Sequence, residues 1–339
     1  MTLTSGSLCS GYGGLDIAAN AVFGTRTVWF SEIDDAAIKV HAHHWPHLPN
    51  LGDIRAVDWT SVPRVDVLTA GYPCQPFSLA GQRKGADDPR HLWPHIAEGI
   101  RVLRPGVVVL ENVPGHRSKG FGDVLADLAT LGYLVAWGSL RASDVGAPHR
   151  RDRVFVVAVD PTRVGFATGG SGLDFRASGH VDGQREQAVA DPGYRVVAER
   201  SWASRRTTGE RTSVGRELGR DRSLRPRTED GHRLDWGEYS AAIDRWERVL
   251  GRPAPRPAIE GPHGRPKLSP RFTEWAMGLP DGWVSAVPGV SVNQALGLCG
   301  NGVVPLQGET AVRALVEVLT RAAICGVHTN TTEGVTGAH

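Results

Sequence analysis

Three short constellations in this chain carry groups able to do chemistry. Residues 70–78 read Ala-Gly-Tyr-Pro-Cys-Gln-Pro-Phe-Ser, which holds Cys74 between Pro73 and Pro76. Proline fixes φ, so the direction of the thiol is set at low entropic cost. A lone cysteine is more often a small buried hydrophobe. In a proline-flanked loop that follows an apolar run, Cys74 reads instead as a nucleophile. A second apolar run, Val107 to Leu110, leads straight into Glu111-Asn112-Val113-Pro114. A carboxyl group there either anchors structure or serves as an acid, and its place on a loop neighbouring that of Cys74 favours the acid. The third constellation is Leu8-Cys9-Ser10-Gly11-Tyr12-Gly13-Gly14-Leu15, where glycines allow a tight turn and a close backbone approach to a ligand. It is not the dinucleotide fingerprint, because Asp16 stands where the third glycine is needed. Glu32 follows about 20 residues on, at a spacing suited to accept hydrogen bonds from ribose hydroxyls. Asp53 closes another loop and can receive an adenine amino group.

These groups need a frame, and the first 160 residues supply one. Short apolar runs at Thr4 to Cys9, Thr27 to Phe30, Val65 to Thr69, Val107 to Glu111, Leu134 to Ser139 and Val154 to Val159 read as strands. Asp34 to His44, Leu92 to Val102 and Phe121 to Leu131 carry apolar residues at helical spacing. Alternation of this kind predicts an α/β fold with a mostly parallel, doubly wound sheet, whose ligands lie beyond the carboxyl ends of the strands.

With 339 residues, 40% hydrophobic and 22% charged, the chain is long enough for about two domains, and a disordered scaffold is excluded for most of it. No stretch approaches the ~18 consecutive apolar residues of a membrane span, and the N-terminus lacks a signal-peptide pattern, so a cytoplasmic protein is expected. The four cysteines (Cys9, Cys74, Cys299, Cys325) form no Cys-x-x-Cys pair, which argues against a zinc site and a disulfide framework. His41, His43, His44 and His47 do not converge on one helical face, so no metal is expected, and they read as part of a solvated helix. A net charge of +2 does not by itself announce a polyanion partner.

After Asp160 the texture changes. Residues 161–265 hold 19 Arg, no Lys and 15 acidic residues, with few long apolar runs before Trp236. Such a segment is either a small, poorly cored domain or partly disordered. Tyr239 to Leu250 reads as a helix ended by Gly251, Leu268 to Trp283 as ordered, and Thr310 to Ala323 as a C-terminal helix. The expected division is 1–160, 161–290, a returning segment 291–325, and a loose tail 326–339.

Taken in order, the motifs resemble those of the DNA (cytosine-5) methyltransferase family of bacteria and phages. Leu8 to Gly14 resembles its methyl-donor turn, Pro73-Cys74-Gln75 its nucleophile, and Glu111-Asn112-Val113 its base-binding acid. Arg151-Asp152-Arg153 stands in the Gln-x-Arg-x-Arg position, Arg265 to Trp283 resembles the motif opening Arg-x-Leu-x-Pro-Arg, and Gly300-Asn301-Gly302-Val303 resembles Gly-Asn-Ser-Val. The resemblance covers both ends and leaves 161–264 unaligned.

It implies a fold of the S-adenosylmethionine-dependent methyltransferase type with a smaller target-recognition domain at 161–290, and the donor S-adenosylmethionine without a metal. Cys74 would add to cytosine C6, Glu111 would bind the N3 edge, and Arg151 and Arg153 would orient the base and favour the Cys74 thiolate. The donor would contact Leu8, Cys9, Gly11, Gly13, Gly14, Leu15, Glu32, Ile33, Asp53, Ile54, Pro73, Asn301 and Val303. The implied partner is double-stranded DNA with its target base flipped out, and a cognate restriction endonuclease is a further implied partner of an otherwise monomeric enzyme. Three positions depart from the pattern: Cys9 stands for a phenylalanine that lies on the adenine, which leaves Ile33 to carry more of that packing, His149 for glutamine, and Gly302 for serine. The competing readings are the RNA-methylating branch of the family, an inactive DNA-binding relative, and a nicotinamide oxidoreductase. The last fails at Asp16 and leaves Cys74 unexplained, and intact Cys74 and Glu111 count against the second.

Overall fold

The computed structural model describes residues 2–73, 92–118, 120–164, 196–201 and 234–324. Among the described residues seven strands form one sheet: β1 (Thr4–Leu8), β2 (Arg26–Ser31), β3 (Val67–Ala70), β4 (Val107–Asn112), β5 (Leu134–Arg141), β6 (Asp152–Val159) and β7 (Val196–Ser201). Their spatial order is β2-β1-β3-β4-β6-β5-β7. β1 pairs in parallel with β2 and β3, β3 with β4, and β5 with β7, whereas β6 runs antiparallel to both β4 and β5. The sheet is therefore mostly parallel with one reversed strand. Every residue of β4 is buried, as a strand covered on both faces requires.

Helices α1 (Gly14–Phe23), α2 (Asp35–His44), α3 (Trp93–Leu103) and α4 (Phe121–Thr130) belong to the alternating half. α5 (Ser240–Leu250), α6 (Pro270–Ala276), α7 (Val292–Asn301) and α8 (Pro305–Ile324) follow, with a small hairpin of β8 (Ala258–Glu260) and β9 (Pro266–Leu268) between α5 and α6. One core joins Ile96, Ile100 and Leu103 of α3 and Val124 and Leu128 of α4 to Leu68, Val108, Leu110 and Val156 of the sheet. The opposite face is covered by α8, whose Val312, Leu315 and Leu319 meet Val107, Val109, Phe155 and Val157. A third core gathers Trp246 of α5, Trp275 of α6 and Val284 with Ala36 and Val40 of α2.

Some expectations change. The last helix begins at Pro305, five residues before Thr310, because proline is tolerated in a first turn. The strand β7 arises inside the arginine-rich segment and adds an edge to the main sheet; its neighbours 165–195 and 202–233 lie outside the described residues, as do Cys325 and the tail. The histidine helix is not simply solvated. His41 is 1% exposed, its ring stacked on Phe30 at 4.3 Å, because α2 lays that face on the sheet. His44 stacks on Trp283 at 3.7 Å and its Nε2 lies 2.7 Å from the Trp283 carbonyl oxygen, while His43 and His47 are exposed.

Candidate active site

Leu8 ends β1, and the chain then turns through left-handed backbone at Cys9, Gly11 and Gly13, with φ of 52°, 55° and 83°. A side chain at Gly11 would meet nothing within 4 Å, so the turn is open on that side. Glu32, just past β2, closes over it. Its Oε2 accepts from the Gly11 amide at 2.9 Å, and its Oε1 accepts from the amides of Ile33 (2.8 Å) and Asp34 (2.9 Å). Asn50 holds this corner: its Oδ1 accepts from the amides of Glu32 (3.1 Å) and Gly52 (3.0 Å), and its Nδ2 donates to the Glu32 carbonyl at 3.0 Å. Asp53 caps the short turn Ile54–Ala56, and Arg55 takes both of its oxygens, which holds the carboxyl below the usual carboxylate range. Ile54 is buried, whereas Ile33 is 65% exposed at the rim.

The C-terminal segment closes the same turn from the other side. A Cβ on Gly14 would overlap the Val303 carbonyl oxygen, so this glycine serves chain-to-chain approach. Tyr12 Oη donates to that carbonyl at 2.6 Å, and Trp283 Nε1 donates to the Tyr12 carbonyl at 2.9 Å. Arg151 Nη2 donates to the carbonyls of Gly300 (2.8 Å) and Gly302 (2.5 Å), and Gln307 Nε2 returns to the carbonyls of Leu140 (2.7 Å) and Arg151 (2.9 Å). Val303 and Leu15 are buried together, and Asn301 is exposed at the end of α7. Asp16 lies buried beneath the turn, bonded by Ser7 Oγ at 2.8 Å and Thr69 Oγ1 at 2.5 Å.

The neighbouring strand ends carry charge. Glu111, 6% exposed near the end of β4, pairs with Arg153 Nε at 2.8 Å. Burial pushes its carboxyl up to about 7, with Arg153 and Arg151 opposing the rise. A Cβ on Gly71 would lie 3.7 Å from Glu111 Oε2 and 3.8 Å from the Cys9 carbonyl, so the loop after β3 runs between the acid and the glycine turn. That loop is pinned by Asn112 Nδ2, which donates to the Tyr72 carbonyl at 3.0 Å, and by the Tyr72 hydroxyl, 2.9 Å from His116 Nε2. Pro73 follows, exposed; Cys74 and Gln75 lie outside the described residues. Burial pushes the thiols of Cys9 and Cys299 up to about 12, so both are poor nucleophiles at neutral pH. His149 Nε2 lies 3.0 Å from the Ala276 carbonyl oxygen, and burial lowers its pKa.

The structure thus brings the glycine turn, Glu32 and Val303 to one side and Glu111 with Arg153 to the other, with Arg151 turned toward the C-terminal segment. Tyr12, Asn50, Trp283 and Gln307 were missed by sequence reasoning. Each acts on backbone distant in sequence or inside a turn, and of the four only Asn50, in Pro-Asn-Leu-Gly, stands in a recognisable turn composition.

Residues 3–168 match the family described as C-5 cytosine-specific DNA methylase. The type II methyltransferase M.HgiBI of Herpetosiphon aurantiacus is 38% identical over 162 residues, covering 45% of this chain and 36% of that protein. The type II methyltransferase M.NlaX of Neisseria lactamica is 31% identical over 224 residues, covering 62% and 68%. The matched region spans about a third to a half of the length of the first curated relatives, at 36% and 48% for two of them. The fold is similar to that of the Dnmt2 methyltransferase of S. pombe, with a TM-score of 0.56 and 17% identity, over 94% of this chain and 99% of that one. A putative DNA modification methyltransferase encoded within an E. coli prophage gives 0.54 and 21%, with the same coverage. Matched across its first half and aligned with two thirds of M.NlaX, the chain belongs to the C-5 cytosine-specific DNA methylase family.

Proposed function

We propose that this protein transfers a methyl group from S-adenosylmethionine to C5 of a cytosine flipped out of a specific duplex DNA sequence, through a transient Cys74 adduct at C6. The observation that carries the reading is a buried carboxyl, Glu111, poised at about 7 beside the loop that leads into Cys74.

The donor, when bound, supplies an electrophilic methyl group on a sulfonium. The open face of Gly11 and the Glu32 carboxylate at the same turn suit a ligand with an amino-acid part and a ribose. Val303, whose carbonyl meets Gly14 and Tyr12, and its neighbour Asn301 would bound that space from the C-terminal side.

Cytosine C5 is too weak a nucleophile to take the methyl unaided. The Cys74 thiolate adds to C6, and the displaced ring electrons make C5 an enamine carbon. A protonated Glu111 donates to N3 as negative charge builds on the ring, and Arg153 keeps that carboxyl oriented. C5 then takes the methyl with S-adenosylhomocysteine as the leaving group, loses its proton to a base, and the ring expels Cys74 as thiolate while the N3 proton returns to Glu111, which restores aromaticity. Cys9 and Cys299, held as thiols, are unsuited to this role. The reacting carbon is inaccessible in a stacked duplex, which is why the base must leave it.

The arginine-rich stretch 161–265 is the proposed source of phosphate contacts and base readout within a target-recognition domain at 161–290. The type II names of the relatives support a partner endonuclease. Among the described residues no helix is long and apolar enough to cross a membrane, in keeping with a cytoplasmic location.

The test is incubation of the protein with donor labelled in its methyl group and duplex DNA. Label enters DNA and is lost in Cys74→Ser; labelling that persists in the variant refutes the nucleophile, and label appearing only in RNA refutes the substrate.

A further inference from the structure

Gly302, which stands where the family pattern has serine, faces Tyr12. A Cβ built on Gly302 would press into the Tyr12 ring, overlapping Cε1 and Cζ and coming within 2.7 Å of Cδ1. The ring is buried and has no room to swing away. On its other side it lies against Gly14, where an added Cβ would come within 2.6 Å of Cε2. Its hydroxyl is fixed on the Val303 carbonyl at 2.6 Å, and its own carbonyl is held by Trp283 Nε1 at 2.9 Å. Tyr12 is therefore a slab clamped between two glycines, one at the start of α1 and one just past the end of α7.

We propose that Tyr12 is a positioning residue for the donor site, and that Gly302 is the space it requires. The departure from serine at 302 is then one half of a matched pair, with a large aromatic at 12 as the other half. Together they set how closely Asn301-Gly302-Val303 approaches the turn at Gly11. Arg151 enforces the same approach from outside, through the carbonyls of Gly300 and Gly302. Serine at 302 would push the segment off the ring, break the bond to Val303 and widen the donor site, whereas a small residue at 12 would make serine harmless.

The inference rests on the donor reading above, so its test has two readouts. In a double-mutant cycle, Gly302→Ser is introduced into the wild-type, Tyr12→Phe and Tyr12→Ala backgrounds, and the binding of S-adenosylhomocysteine is measured by calorimetry alongside the melting temperature. In the wild-type and Tyr12→Phe backgrounds, where a ring is present, Gly302→Ser weakens binding at least about tenfold; in the Tyr12→Ala background it costs less than about twofold, since the ring it would strike is gone. In turnover, the donor KM moves by the same ratios while kcat at saturating donor and DNA stays within about twofold, a split that a purely structural role does not produce. Equal losses from Gly302→Ser in all three backgrounds overturn the pairing. Non-additive melting temperatures with unchanged donor affinity overturn the positioning role and leave only packing. If the wild-type protein binds no S-adenosylhomocysteine, the donor reading fails, and the melting cycle alone still decides whether the two residues are paired.

Discussion

The two sides of the proposed site, one for the donor and one for the base, are built from different materials. On the donor side, at the ends of β1 and β2, the work is done by backbone: left-handed turns at Gly11 and Gly13, three amides on Glu32, and carbonyls held by Tyr12 and Arg151. On the base side, at the ends of β3, β4 and β6, it is done by buried charge, with Glu111 and Arg153 paired out of water. A backbone cradle fixes shape and changes little with pH, whereas a buried carboxyl holds a proton near neutrality. On the proposed function, binding and proton traffic are thus separated in space, and each can be disturbed without the other.

The largest effect is expected at the nucleophile. Cys74→Ser lowers methyl transfer by at least about 10³-fold, since an alcohol is a far weaker nucleophile at neutral pH, and leaves affinity for S-adenosylhomocysteine within about twofold. A parallel loss of product affinity would break the separation of the two sides. Next comes Glu111. On this reading its protonated form is the competent one while Cys74 must be thiolate, so kcat/KM for DNA is bell-shaped in pH, and the Glu111 proton, lost as pH rises through about 7, sets one of the two limbs. Glu111→Gln keeps an amide donor but cannot release a proton; it lowers kcat by about 10²-fold and removes the limb that Glu111 sets. Folding follows the same sign. A carboxyl raised on folding stabilises fully below the ordinary value of about 4.3, and that contribution is lost as pH rises toward 7. Urea titrations at pH 5 and 8 on wild type and Glu111→Gln check this, and a pH profile of kcat/KM that is unchanged in Glu111→Gln would refute the acid role.

On the donor side the expected effects are smaller and fall on KM. Glu32→Ala strips three amides of a charged acceptor, and at about 1.5–3 kcal/mol for a hydrogen bond to a charged group the donor KM rises by about 10- to 100-fold. Asn50→Ala acts through Glu32 and the Gly52 turn and raises it about threefold to tenfold, with neutral hydrogen bonds at stake. Steady-state kinetics at saturating DNA separates the two. A change confined to kcat in either variant would mean that this corner serves the chemistry and not the donor.

The material of each side also decides how readable it was. Val107-Val108-Val109-Leu110-Glu111 announces a fully buried strand that delivers a carboxyl, and the structure has β4 with Glu111 near its end. Helix α5 likewise runs from Ser240 to Leu250 and stops at left-handed Gly251, as its sequence says. The base side is written in local patterns, up to Pro73 where the described loop stops. The donor side is written in long-range ones. Helix α1 has a left-handed glycine for a cap, makes no side-chain capping bond, and carries apolar residues almost all round, so neither its start nor its face stands out. The bond from Tyr12 to Val303 crosses 291 positions and leaves no trace in the spacing of residues. His41 is polar by type yet buried, because the partner that makes room for its ring is Phe30 on another element.

Substitution of Gly11 discriminates most finely between a turn that merely folds and one that holds a ligand. Gly11 has φ of 55° and open space where a Cβ would stand. Alanine there meets no atom of the protein, so its cost to folding is only the left-handed backbone, about 1 to 2 kcal/mol. The chain tolerates that conformation at Cys9, Arg104, Arg151 and His263. Gly11→Ala should therefore lower the melting temperature by about 2–8 °C. If the turn only folds, the donor KM follows that strain and changes by less than about threefold. If the donor lies over the open face, the added methyl occupies its space, and KM rises at least about tenfold with kcat unchanged. Gly11→Asn separates the two causes: asparagine adopts the left-handed region more readily than alanine, so it restores stability while its larger side chain weakens donor binding further. A variant series in which KM tracks the melting temperature, alanine worse than asparagine in both, would place the donor elsewhere.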